Sequence, residues 1–542
     1  MQAFAALLDR LTYTGSRNRK LELIAAYLRD TPDPDRGWAL AALTGELDFP
    51  AVKPATIRKL LTERVDPVLY ALSRDYVGDT AETASLLWPE PASGAEPAMA
   101  PEAAPSLDRT VALLRGMTRA NVAVELPRLL DRLDANGRYA LIKLATGAMR
   151  IGVSARLAKT AFAQAFDVAV EDVEEYWHGV DAPYAALFAW AADGADPPRL
   201  DLVPLFRPFM LAHPLEDREV DLADYAAEWK WDGIRVQVVH TAGKTRVYSR
   251  SGDDISDTFP EIADALPFPA VLDGELLVRG THQGGEEGGA ASFNALQQRL
   301  GRKTVSARMQ REYPAFVRLY DVLLADDQDL RELGWSQRRA ALESLMNRLD
   351  DARFDLSSVI QAADFATLSD LRDRSRDDAI EGIMLKKRDS PYVAGRRSGL
   401  WYKWKRDPLL IDCVLMYAQR GSGKRSSFYS DFTFGCWNGD PEDQGNSGGA
   451  ELLPVGKAYF GFTDEELKWL DRHVRQHTVN RFGPVRETDK SLVLEVAFDS
   501  VHASKRHKSG LAMRFPRIHR IRRDKPAHEA DRIETLKALI RD

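Results

Sequence analysis

The sequence predicts a multidomain protein in three parts: an all-α N-terminal domain, an α+β middle domain and a C-terminal β-barrel domain. A chain of 542 residues is too long to fold around one ordinary hydrophobic core. Apolar residues recur at helical spacing in the first part of the chain, and short β-branched runs replace that pattern after Pro204. We therefore expect domains at 1–203, 204–406 and 407–542.

The N-terminal domain is predicted from its apolar spacing. Leu157, Ala161 and Ala165 recur four residues apart, which places them on one face of a helix. Ser154 is suited to cap the first turn of that helix. Residues 89–105 hold five prolines among Ala, Glu, Ser and Gly, so this stretch is expected to be a loop between two helical halves.

The middle domain is predicted from short β-type runs. Residues 234–238 alternate apolar and polar side chains, which indicates a strand with one buried face. The runs at 271–272 and 317–324 are typical of buried strands. Residues 280–292 contain five glycines and are expected to form a flexible loop after the strand that bears Glu275.

The C-terminal domain is predicted to be a small β-barrel. Its strand candidates are the runs at 409–417, 428–437 and 492–498, which are rich in β-branched and aromatic residues. Residues 439–449 are polar and glycine-rich, and we expect them to be an insertion between strands.

The composition narrows the class of protein. Hydrophobic residues make up 44% and charged residues 29% of the chain, the balance of a soluble globular protein, and no run is apolar enough to span a membrane. The first residues lack the basic and apolar segments of a signal peptide, so we expect a cytoplasmic location. Only Cys413 and Cys436 occur, which excludes a disulfide framework and a four-cysteine zinc module.

The charge is unevenly distributed along the chain. The net charge of −7 by itself argues against nucleic acid as a partner, because phosphate binding requires Lys and Arg. However, the stretch from Ile383 to Arg406 contains eight basic residues and one acidic residue. The stretch from Val501 to Lys525 contains nine basic residues and one acidic residue. These stretches are candidate surfaces for nucleic acid phosphates. The alternative is that they are ordinary solvated faces.

Lys230 lies in the hexapeptide Lys-Trp-Asp-Gly-Ile-Arg at 230–235, a K-x-D-G-x-R pattern. A lysine here can attack the α-phosphate of a nucleotide, provided that neighbouring groups lower its pKa from the ordinary value of about 10.4. The alternative is a surface lysine beside a turn that Asp232 and Gly233 merely shape.

Five further clusters follow the lysine in an order that suits nucleotide transfer. They lie at 272–275, 319–323, 381–386, 401–405 and 514–525. The succession resembles the covalent nucleotidyltransferases and, within them, the ATP-dependent DNA ligases of the bacterial three-domain type. The likeness covers nearly the whole chain. The lack of four cysteines distinguishes it from the NAD-dependent DNA ligases, which resemble it in the lysine motif.

The resemblance implies a fold and a reaction. It implies a helical DNA-binding domain, a nucleotidyltransferase (adenylation) domain and an OB-fold, with residues 206–212 as the connection before the adenylation domain. It also implies ATP as co-substrate, Lys230 as the catalytic residue that carries AMP, and Mg²⁺ or Mn²⁺ as cofactor. A barrel that closes over ATP and then turns to the DNA is expected as well.

Two carboxylates are the predicted metal ligands. Glu275 follows an apolar strand, and Glu381 precedes Gly382 and another apolar strand, so an unpaired carboxylate at either place would be costly. Together they could hold Mg²⁺, and Glu275 could alternatively bind a ribose hydroxyl. The alternative for Glu381 is a structural pair with Lys386 or Lys403.

Several residues are predicted to bind ATP. Arg235 and Arg250 suit phosphate by their bidentate geometry, and Arg235 would later contact the 5′-phosphate of DNA. By resemblance, Tyr320 stacks on the adenine and Glu228 lies against it through its backbone. The alternatives are a core role for Tyr320 and an exposed side chain for Glu228.

The remaining predicted ATP ligands are basic. Lys403 and Lys405 would point to the same face of a strand and hold one α-phosphate together, with Arg397 nearby. By resemblance, the closing motif orients the leaving pyrophosphate through Arg514, Arg517 and Lys525.

Two arginines are predicted to bind DNA besides Arg235. Arg150 lies in a segment at 149–154 that resembles part of the DNA-binding domain of larger ligases, where a helix end could receive backbone phosphates. Arg425 closes a Gly-Ser-Gly-Lys-Arg stretch that lacks the first Gly and the final Ser or Thr of a phosphate loop. We interpret that stretch as a basic turn near DNA.

The predicted function is therefore sealing of nicks in duplex DNA, in repair, replication or recombination, by a monomer. An RNA ligase or a capping-type nucleotidyltransferase is the alternative enzyme, because both resemble this site up to the paired lysines. The helical front domain and the motif at 514–525 favour a DNA ligase. A catalytically silent scaffold that binds nicks is the third candidate, although such a protein would be expected to lose the lysine or the carboxylates.

Overall fold

The computed structural model describes most of the chain. The described residues are 1–77, 79–89, 104–147, 149–198, 204–216, 218–280, 289–291, 293–300, 302, 305–326, 328–374, 379–421, 427–441, 450–504 and 507–540. Parts of four predicted loops or turns lie outside them, in the stretches at 89–105, 280–292, 421–425 and 439–449.

The described residues up to Asp193 form twelve α-helices and no strand. The helices are α1 (Gln2–Tyr13), α2 (Arg17–Asp30), α3 (Asp35–Thr44), α4 (Pro54–Thr62), α5 (Pro67–Val77), α6 (Thr80–Leu87), α7 (Leu107–Gly116), α8 (Val122–Asp131), α9 (Ala135–Thr146), α10 (Ala155–Phe166), α11 (Val170–Tyr176) and α12 (Ala185–Asp193).

Helix α10 follows the sequence pattern closely. Leu157 and Ala161 are buried, as the four-residue spacing predicts, while Ala165 is only partly buried. The side chain of Ser154 accepts a hydrogen bond from the Leu157 N–H at 3.2 Å, which confirms the predicted N-cap. Helices in this region therefore pack through the apolar faces that the sequence encodes.

Residues 210–405 combine thirteen described strands with five helices. The strands are β1 (Met210–Leu211), β2 (His213–Pro214), β3 (Tyr225–Trp231), β4 (Ile234–Thr241), β5 (Lys244–Ser249), β6 (Ala270–Val278), β7 (Ala315–Ala325), β8 (Gln328–Asp329), β9 (Phe354–Leu356), β10 (Val359–Ile360), β11 (Ile380–Lys387), β12 (Gly395–Arg396) and β13 (Trp401–Lys405). The helices are α13 (Pro260–Ala263), α14 (Phe293–Gln297), α15 (Ala307–Glu312), α16 (Trp335–Met346) and α17 (Phe365–Arg374).

Two mainly antiparallel sheets organise this region. One has the strand order β10-β3-β11-β13-β2, and the other has the order β5-β4-β6-β7-β8 with β9 alongside β7. Strands β3 and β4 are consecutive in sequence but belong to different sheets. The two residues between them, Asp232 and Gly233, therefore carry the chain from one sheet to the other.

The C-terminal region is built around long antiparallel strands. Its elements are β14 (Leu409–Arg420), β15 (Tyr429–Asn438), β16 (Glu451–Ala458), α18 (Asp464–Gln476), β17 (Thr478–Phe482), β18 (Val485–Thr488), β19 (Val493–Phe498), β20 (Ser500–Ala503), β21 (Leu511–Arg514), β22 (Arg517–Arg522) and α19 (Ile533–Lys537). Seven of the strands form one sheet, in which β14 pairs with β15 on one side and with both β18 and β19 on the other. Cys413 and Cys436 are buried free thiols on paired strands.

No helix among the described residues has both the length and the apolar character needed to cross a lipid bilayer. This finding agrees with the sequence, which contains no apolar run of that length.

The helical region contacts the two-sheet region through aromatic packing and ion pairs. The ring of His178 lies 5.5 Å from that of Phe206 and 4.9 Å from that of Tyr248. Glu175 pairs with Arg207 at 3.3 Å. Phe206 and Arg207 belong to the stretch that the sequence predicts as the connection between the two regions. This stretch is thus packed against both of them.

His178 should make this contact sensitive to acid. Burial lowers the pKa of His178 to about 3, and the charge of Lys159 acts in the same direction. In the unfolded chain the imidazole takes up a proton below about pH 6.5. In the folded protein the imidazole stays neutral until the pH approaches about 3. The stability from this site is therefore complete above about pH 6.5, and about 1.4 kcal/mol is lost for each pH unit below it.

The measurement is the thermal unfolding midpoint of the wild type and of His178→Phe at pH 7.5 and pH 5.5. Phe retains the ring contacts but cannot be protonated, so the wild type should lose more of its midpoint than the variant on acidification. Parallel losses in the two proteins would show that His178 does not carry this pH dependence.

Candidate functional site

A cavity of about 350 Å³ lies where the two sheets face each other. Its walls come from β3, β4, β6, β7, β11 and β13 together with the turn at 232–233. Nine residues that the sequence predicts as functional line it: Glu228, Lys230, Arg235, Arg250, Glu275, Tyr320, Glu381, Lys403 and Lys405. Glu228 and Lys405, which are 177 positions apart in the sequence, thus reach one space.

Lys230 is the penultimate residue of β3, and its side chain is 21% exposed. The following turn passes close to the neighbouring sheet. A Cβ on Gly233 would lie 2.4 Å from the carbonyl oxygen of Leu276, so a larger residue would push the turn away. Lys230 is therefore held at the junction of two sheets, where it lines the cavity.

A β-bulge in β11 directs Glu381 into the cavity. Ile380 pairs with Trp231 and Gly382 pairs with Lys230, so Glu381 is the extra residue of the bulge. Gly382 has a φ of 151°, and a Cβ there would lie 2.3 Å from the carbonyl oxygen of Trp404. The bulge thus depends on glycine at 382.

Glu381 pairs with two lysines of the cavity. One carboxylate oxygen contacts Lys230 Nζ in a very short hydrogen bond, and the other lies 2.8 Å from Lys405 Nζ. Burial alone would raise the pKa of Glu381, but the two ammonium groups outweigh burial and lower it. The structural partners proposed as the alternative, Lys386 and Lys403, are not those found: Lys386 binds Glu228 instead.

Glu275 occupies the middle of β6, and not the end of a strand as the sequence analysis expected. The strand continues beyond Glu275 through Leu276, Leu277 and Val278. Burial raises the pKa of Glu275 to about 7, against the opposing charges of Lys230 and Arg235. The nearby carboxylate of Glu381 adds to that rise. Two carboxylates thus share one partly desolvated space.

The side chain of Glu228 is buried, so the possibility of an exposed side chain is wrong. It is 1% exposed and accepts hydrogen bonds from Lys386 Nζ at 2.7 Å and from Arg339 at 3.2 Å. Burial raises the pKa of Glu228, while Lys386 and Arg339 oppose that rise. This ion cluster ties the strand that carries Lys230 to β11 and to α16.

Two aromatic rings and one buried lysine form another part of the cavity lining. The ring of Tyr320 lies 4.4 Å from Lys386 Nζ, and the ring of Trp401 lies 4.8 Å from the same atom. The hydroxyl of Tyr320 reaches Glu275 at 3.5 Å. Tyr320 therefore lines the cavity while also packing against the lysine that neutralises Glu228.

Arg235 is anchored within the protein. Its guanidinium donates to both oxygens of Asp273, at 3.1 and 2.7 Å, and to the carbonyl oxygen of Met210 at 2.7 Å. It also contacts the hydroxyl of Tyr392 at 3.2 Å. Most of its N–H groups are thus engaged in the protein, although the residue lines the cavity.

The basic side of the cavity is formed by Arg250, Lys403 and Lys405. The two lysines lie two residues apart on β13 and both line the cavity, as strand alternation predicts. Burial lowers the pKa of Lys403, and the charges of Lys405, Arg396, Lys230 and Arg250 lower it further. Such a concentration of positive charge favours an anion between these groups.

Arg514 reaches the cavity from the C-terminal region. It donates to both carboxylate oxygens of Asp232, one at 2.8 Å and one in a shorter contact. Its two companions in the predicted motif pair elsewhere: Arg517 with Asp499 at 3.1 Å, and Lys525 with Asp412 at 2.8 Å. In this arrangement of the domains only Arg514 of the three touches the cavity turn.

Arg397 and Arg150 do not line the cavity. Arg397 is exposed and is not part of the lining. Arg150 is exposed before α10 with a φ of 44°, in a segment whose carbonyl oxygen at Gly152 binds Lys20 Nζ at 3.1 Å. Arg425 lies outside the described residues. The roles of these three residues stay predictions.

Three family models match the chain in sequence order. The DNA ligase N terminus matches residues 1–163, the ATP dependent DNA ligase domain matches 209–405, and the ATP dependent DNA ligase C terminal region matches 425–525. A probable DNA ligase of Koribacter versatilis is 35% identical over 442 residues, which cover 76% of this chain and 73% of that protein. The chain belongs to the ATP-dependent DNA ligases.

Further similarities span almost the entire ligase. DNA ligase 1 of Korarchaeum cryptofilum is 29% identical over 99% of this chain and 98% of its own length. A solved structure named Pmar-Lig_PreS3 matches with a TM-score of 0.57 and covers 96% of this chain and 99% of its own, at 14% identity. That structure supports the fold alone. The ligase thus has an N-terminal, a nucleotidyltransferase and a C-terminal domain.

Sequence reasoning missed several residues of the ligase site. The sequence suggested Lys386 only as a structural partner of Glu381, although the alternation from Met384 puts it on the cavity face of β11. Asp273 and Tyr392 hold Arg235, and Arg339 holds Glu228. No local signal marks Tyr392 or Arg339, because they come from distant elements.

Lys386→Met should destabilise the ligase. Removing this ammonium group leaves Glu228 buried with only Arg339 as a partner, which should cost roughly 3 kcal/mol. The measurement is urea-induced unfolding followed by far-ultraviolet circular dichroism and by tryptophan fluorescence.

Lys387→Met is the matched control. Lys387 is the next residue, is partly exposed and pairs with Asp389 at 3.4 Å, so its removal should cost less than about 0.5 kcal/mol. Equal effects of the two substitutions would show that the buried pair does not stabilise the fold.

Proposed function

We propose that this ligase seals nicks in duplex DNA through an adenylyl group carried on Lys230. The observation that carries the proposal is the convergence of Lys230, Glu275, Glu381 and the two lysines of β13 on one cavity. An amine, two carboxylates and a cationic wall are the groups that transfer of a nucleotidyl group from ATP requires.

In the first step, Lys230 Nζ attacks the α-phosphorus of ATP. A P–N bond forms, the bond from the α-phosphorus to the bridging oxygen of the β-phosphate breaks, and pyrophosphate leaves. The amine attacks in its neutral form, so its proton passes to solvent and its contact with Glu381 is given up. Lys403 and Lys405 stabilise the charge that develops on the α-phosphate oxygens.

The second and third steps transfer the adenylyl group and join the strands. The 5′-phosphate oxygen at the nick attacks the adenylyl phosphorus, and the P–N bond to Lys230 breaks. The 3′-hydroxyl then attacks the 5′-phosphorus, which forms the phosphodiester and releases AMP. Each step is an exchange at phosphorus, so positioning and charge stabilisation supply most of the catalysis.

Mg²⁺, or Mn²⁺ in its place, fits Glu275 and Glu381. Hard divalent cations prefer carboxylate oxygens, and both carboxylates line the cavity that also contains Lys230. The raised pKa of Glu275, to about 7, reflects burial beside a second carboxylate, and a cation held between them would remove that penalty. The ion would neutralise phosphate charge when bound.

The nucleotide pocket is proposed to use the remaining predicted ligands. Tyr320 and Glu228 both line the cavity. Tyr320 would offer its flat ring to the adenine, and the backbone of Glu228 would lie against the same base. Arg250 suits a phosphate or the ribose. Four other predicted ATP ligands lie outside the cavity lining: Arg397, Arg514, Arg517 and Lys525. Arg514 already contacts Asp232 of the lining, and the other three would join it after a movement.

The nick is proposed to be held by three domains at 1–203, 204–406 and 407–542. The first is an all-α DNA-binding domain, in agreement with the absence of strands among the described residues up to Asp193, and the last is an OB-fold. The predicted contacts to DNA phosphates come from Arg150, Arg235 and Arg425. Arg235 would use the N–H groups that Asp273, Met210 and Tyr392 do not already engage. Backbone contacts of this kind give weak sequence preference and strong salt dependence.

The biological setting is also part of the proposal. We place the enzyme in the cytoplasm, where ATP and chromosomal DNA are both present, and expect it to act as a monomer in repair, replication or recombination. Sealing of a single nick needs one active site, and the described chain supplies an amine, carboxylates and cations within one cavity.

Lys230→Ala should abolish covalent labelling of the protein. Wild type incubated with α-labelled ATP and Mg²⁺ should acquire one adenylyl label, and nicked duplex DNA should then discharge it with strand joining. The variant has no amine at this position and should remain unlabelled. The measurement is label retained on the denatured protein after electrophoresis.

Lys244→Ala, at an exposed lysine of β5, is the control and should label normally. Labelling by GTP, or discharge only by nicked RNA, would support a capping enzyme or an RNA ligase. Absence of any label would contradict the proposed mechanism.

Arg514→Ala should slow the first step more than the last. Arg514 meets Asp232 beside Lys230 across the boundary between two domains, and this contact belongs to the closed arrangement that we assign to reaction with ATP. We expect a loss of about 10²-fold or more in Lys230 labelling, and a much smaller loss in sealing of a nick that is already adenylated. Single-turnover kinetics of the two reactions make the comparison.

Arg475→Ala serves as the matched control, because Arg475 is an exposed arginine of the same region that pairs with Asp471 and lies outside the basic stretch at 501–525. It should leave both rates within about twofold of wild type. An equal loss of both rates in Arg514→Ala would contradict a role limited to the closed arrangement.

A further inference from the structure

Three side chains of the types that can bind metal ions come together in the C-terminal region, outside the cavity. They are His473 near the end of α18, His477 immediately after that helix, and Asp489 between β18 and β19. One ligand atom from each lies within 4.8 Å of those of the other two. None of the three lines the cavity.

The local fold brings these residues to one place. Histidines four residues apart lie on the same face at the end of a helix, a spacing used in zinc sites. The Asp489 N–H donates to the carbonyl oxygen of His477 at 3.0 Å, next to the pairing of Thr478 with Thr488. The aspartate is therefore held against the helix end by the backbone, and does not depend on a flexible side-chain contact.

The two imidazoles are stacked. Their centroids are 4.1 Å apart with an interplanar angle of 19°, and Trp469 stacks on the other side of His473 at 5.2 Å. Arg523 lies over Trp469 at 4.0 Å. The His473 ring is thus fixed between an aromatic ring and the second histidine, so little side-chain freedom remains to be lost on binding a ligand.

An ordinary ion pair explains only part of this cluster. His477 Nδ1 lies 2.6 Å from Asp489, which accounts for those two residues. His473 Nε2 is buried and has no hydrogen-bond partner among the described residues. A buried unsatisfied nitrogen costs about 1–3 kcal/mol, so the cluster holds a polar group that the described part of the chain does not satisfy.

We propose that His473, His477 and Asp489 bind a divalent transition metal ion, with Zn²⁺ as the best fit. Two imidazoles and a carboxylate are typical zinc ligands, and water completes a tetrahedral shell. Ligand atoms in such a shell are about 3.4 Å apart, so the side chains must approach each other by roughly 1 Å. Rotation of exposed side chains achieves this, because His477 is 40% and Asp489 33% exposed.

The ion would connect helix α18 to the loop after β18. Both histidines belong to the helix end, and Asp489 lies beyond the hairpin of β17 and β18, so a bound ion adds a cross-link between these elements. It would stabilise the C-terminal region according to the free metal concentration. The ion would also accept the lone pair of His473 Nε2, which has no hydrogen-bond partner among the described residues.

The test uses the full-length protein without a histidine tag, stripped of metal with a chelator and then dialysed. Zn²⁺ alone is titrated by calorimetry in the presence of millimolar Mg²⁺, which occupies the oxygen ligands of the cavity. We expect one Zn²⁺ per chain and a rise in the thermal unfolding midpoint. Co²⁺ in place of Zn²⁺ should give visible absorption bands of a four-coordinate nitrogen and oxygen site.

His473→Gln and Asp489→Asn should each weaken Zn²⁺ binding by about tenfold or more. His519→Gln, at an exposed histidine of the same region, should bind Zn²⁺ as wild type does. His477→Gln provides the same test at a more exposed position if His473→Gln does not fold. Undiminished binding in the folded variants, or no Zn²⁺ binding by wild type, would overturn the proposal.

Discussion

The site depends on one irregularity in strand β11, the bulge that places Glu381 against Lys230. The bulge requires glycine at 382, because any Cβ there would meet the backbone of β13. It leaves Glu381 outside the regular strand pairing and aims its carboxylate at Lys230 and Lys405. A regular β11 would instead alternate its side chains, and the carboxylate would lose its place between the two lysines. The amine, the carboxylate and the cationic wall are thus assembled by a local departure from sheet geometry.

A second constraint is the buried charge of Glu228, which holds the strand that carries Lys230 in place. Glu228, two residues before Lys230, is buried and must be neutralised, because an isolated charge there would be costly. Lys386 and Arg339 supply the opposite charges, from β11 and α16 respectively. The strand that carries Lys230 is therefore tied to two other elements by ion pairs that water does not screen. This arrangement fixes the position of the amine while leaving its side chain partly exposed to a ligand.

Much of the chemistry could be predicted from local sequence. The acidic and basic motifs gave nine residues that line one cavity, and the spacing of Lys403 and Lys405 predicted their common face. The place of each site residue within its strand, and its contacts with distant residues, were less predictable. Glu275 lies in the middle of its strand because Leu276 to Val278 continue the pairing with β7. Arg235 is largely occupied by Asp273 and Tyr392, and these contacts arise from elements distant in sequence.

The sequence by itself determined the class of chemistry and the helical or strand character of its segments, because residue types and periods of 3.6 or 2.0 act over a few neighbouring residues. Tertiary structure alone decided which carboxylate meets which lysine, since that depends on the register between strands far apart in the chain. It also brought Arg514 to Asp232, 282 residues away, through the packing of one domain on another. The cluster of His473, His477 and Asp489 combines both levels: a helical spacing visible in sequence, and an aspartate that only strand pairing brings beside it.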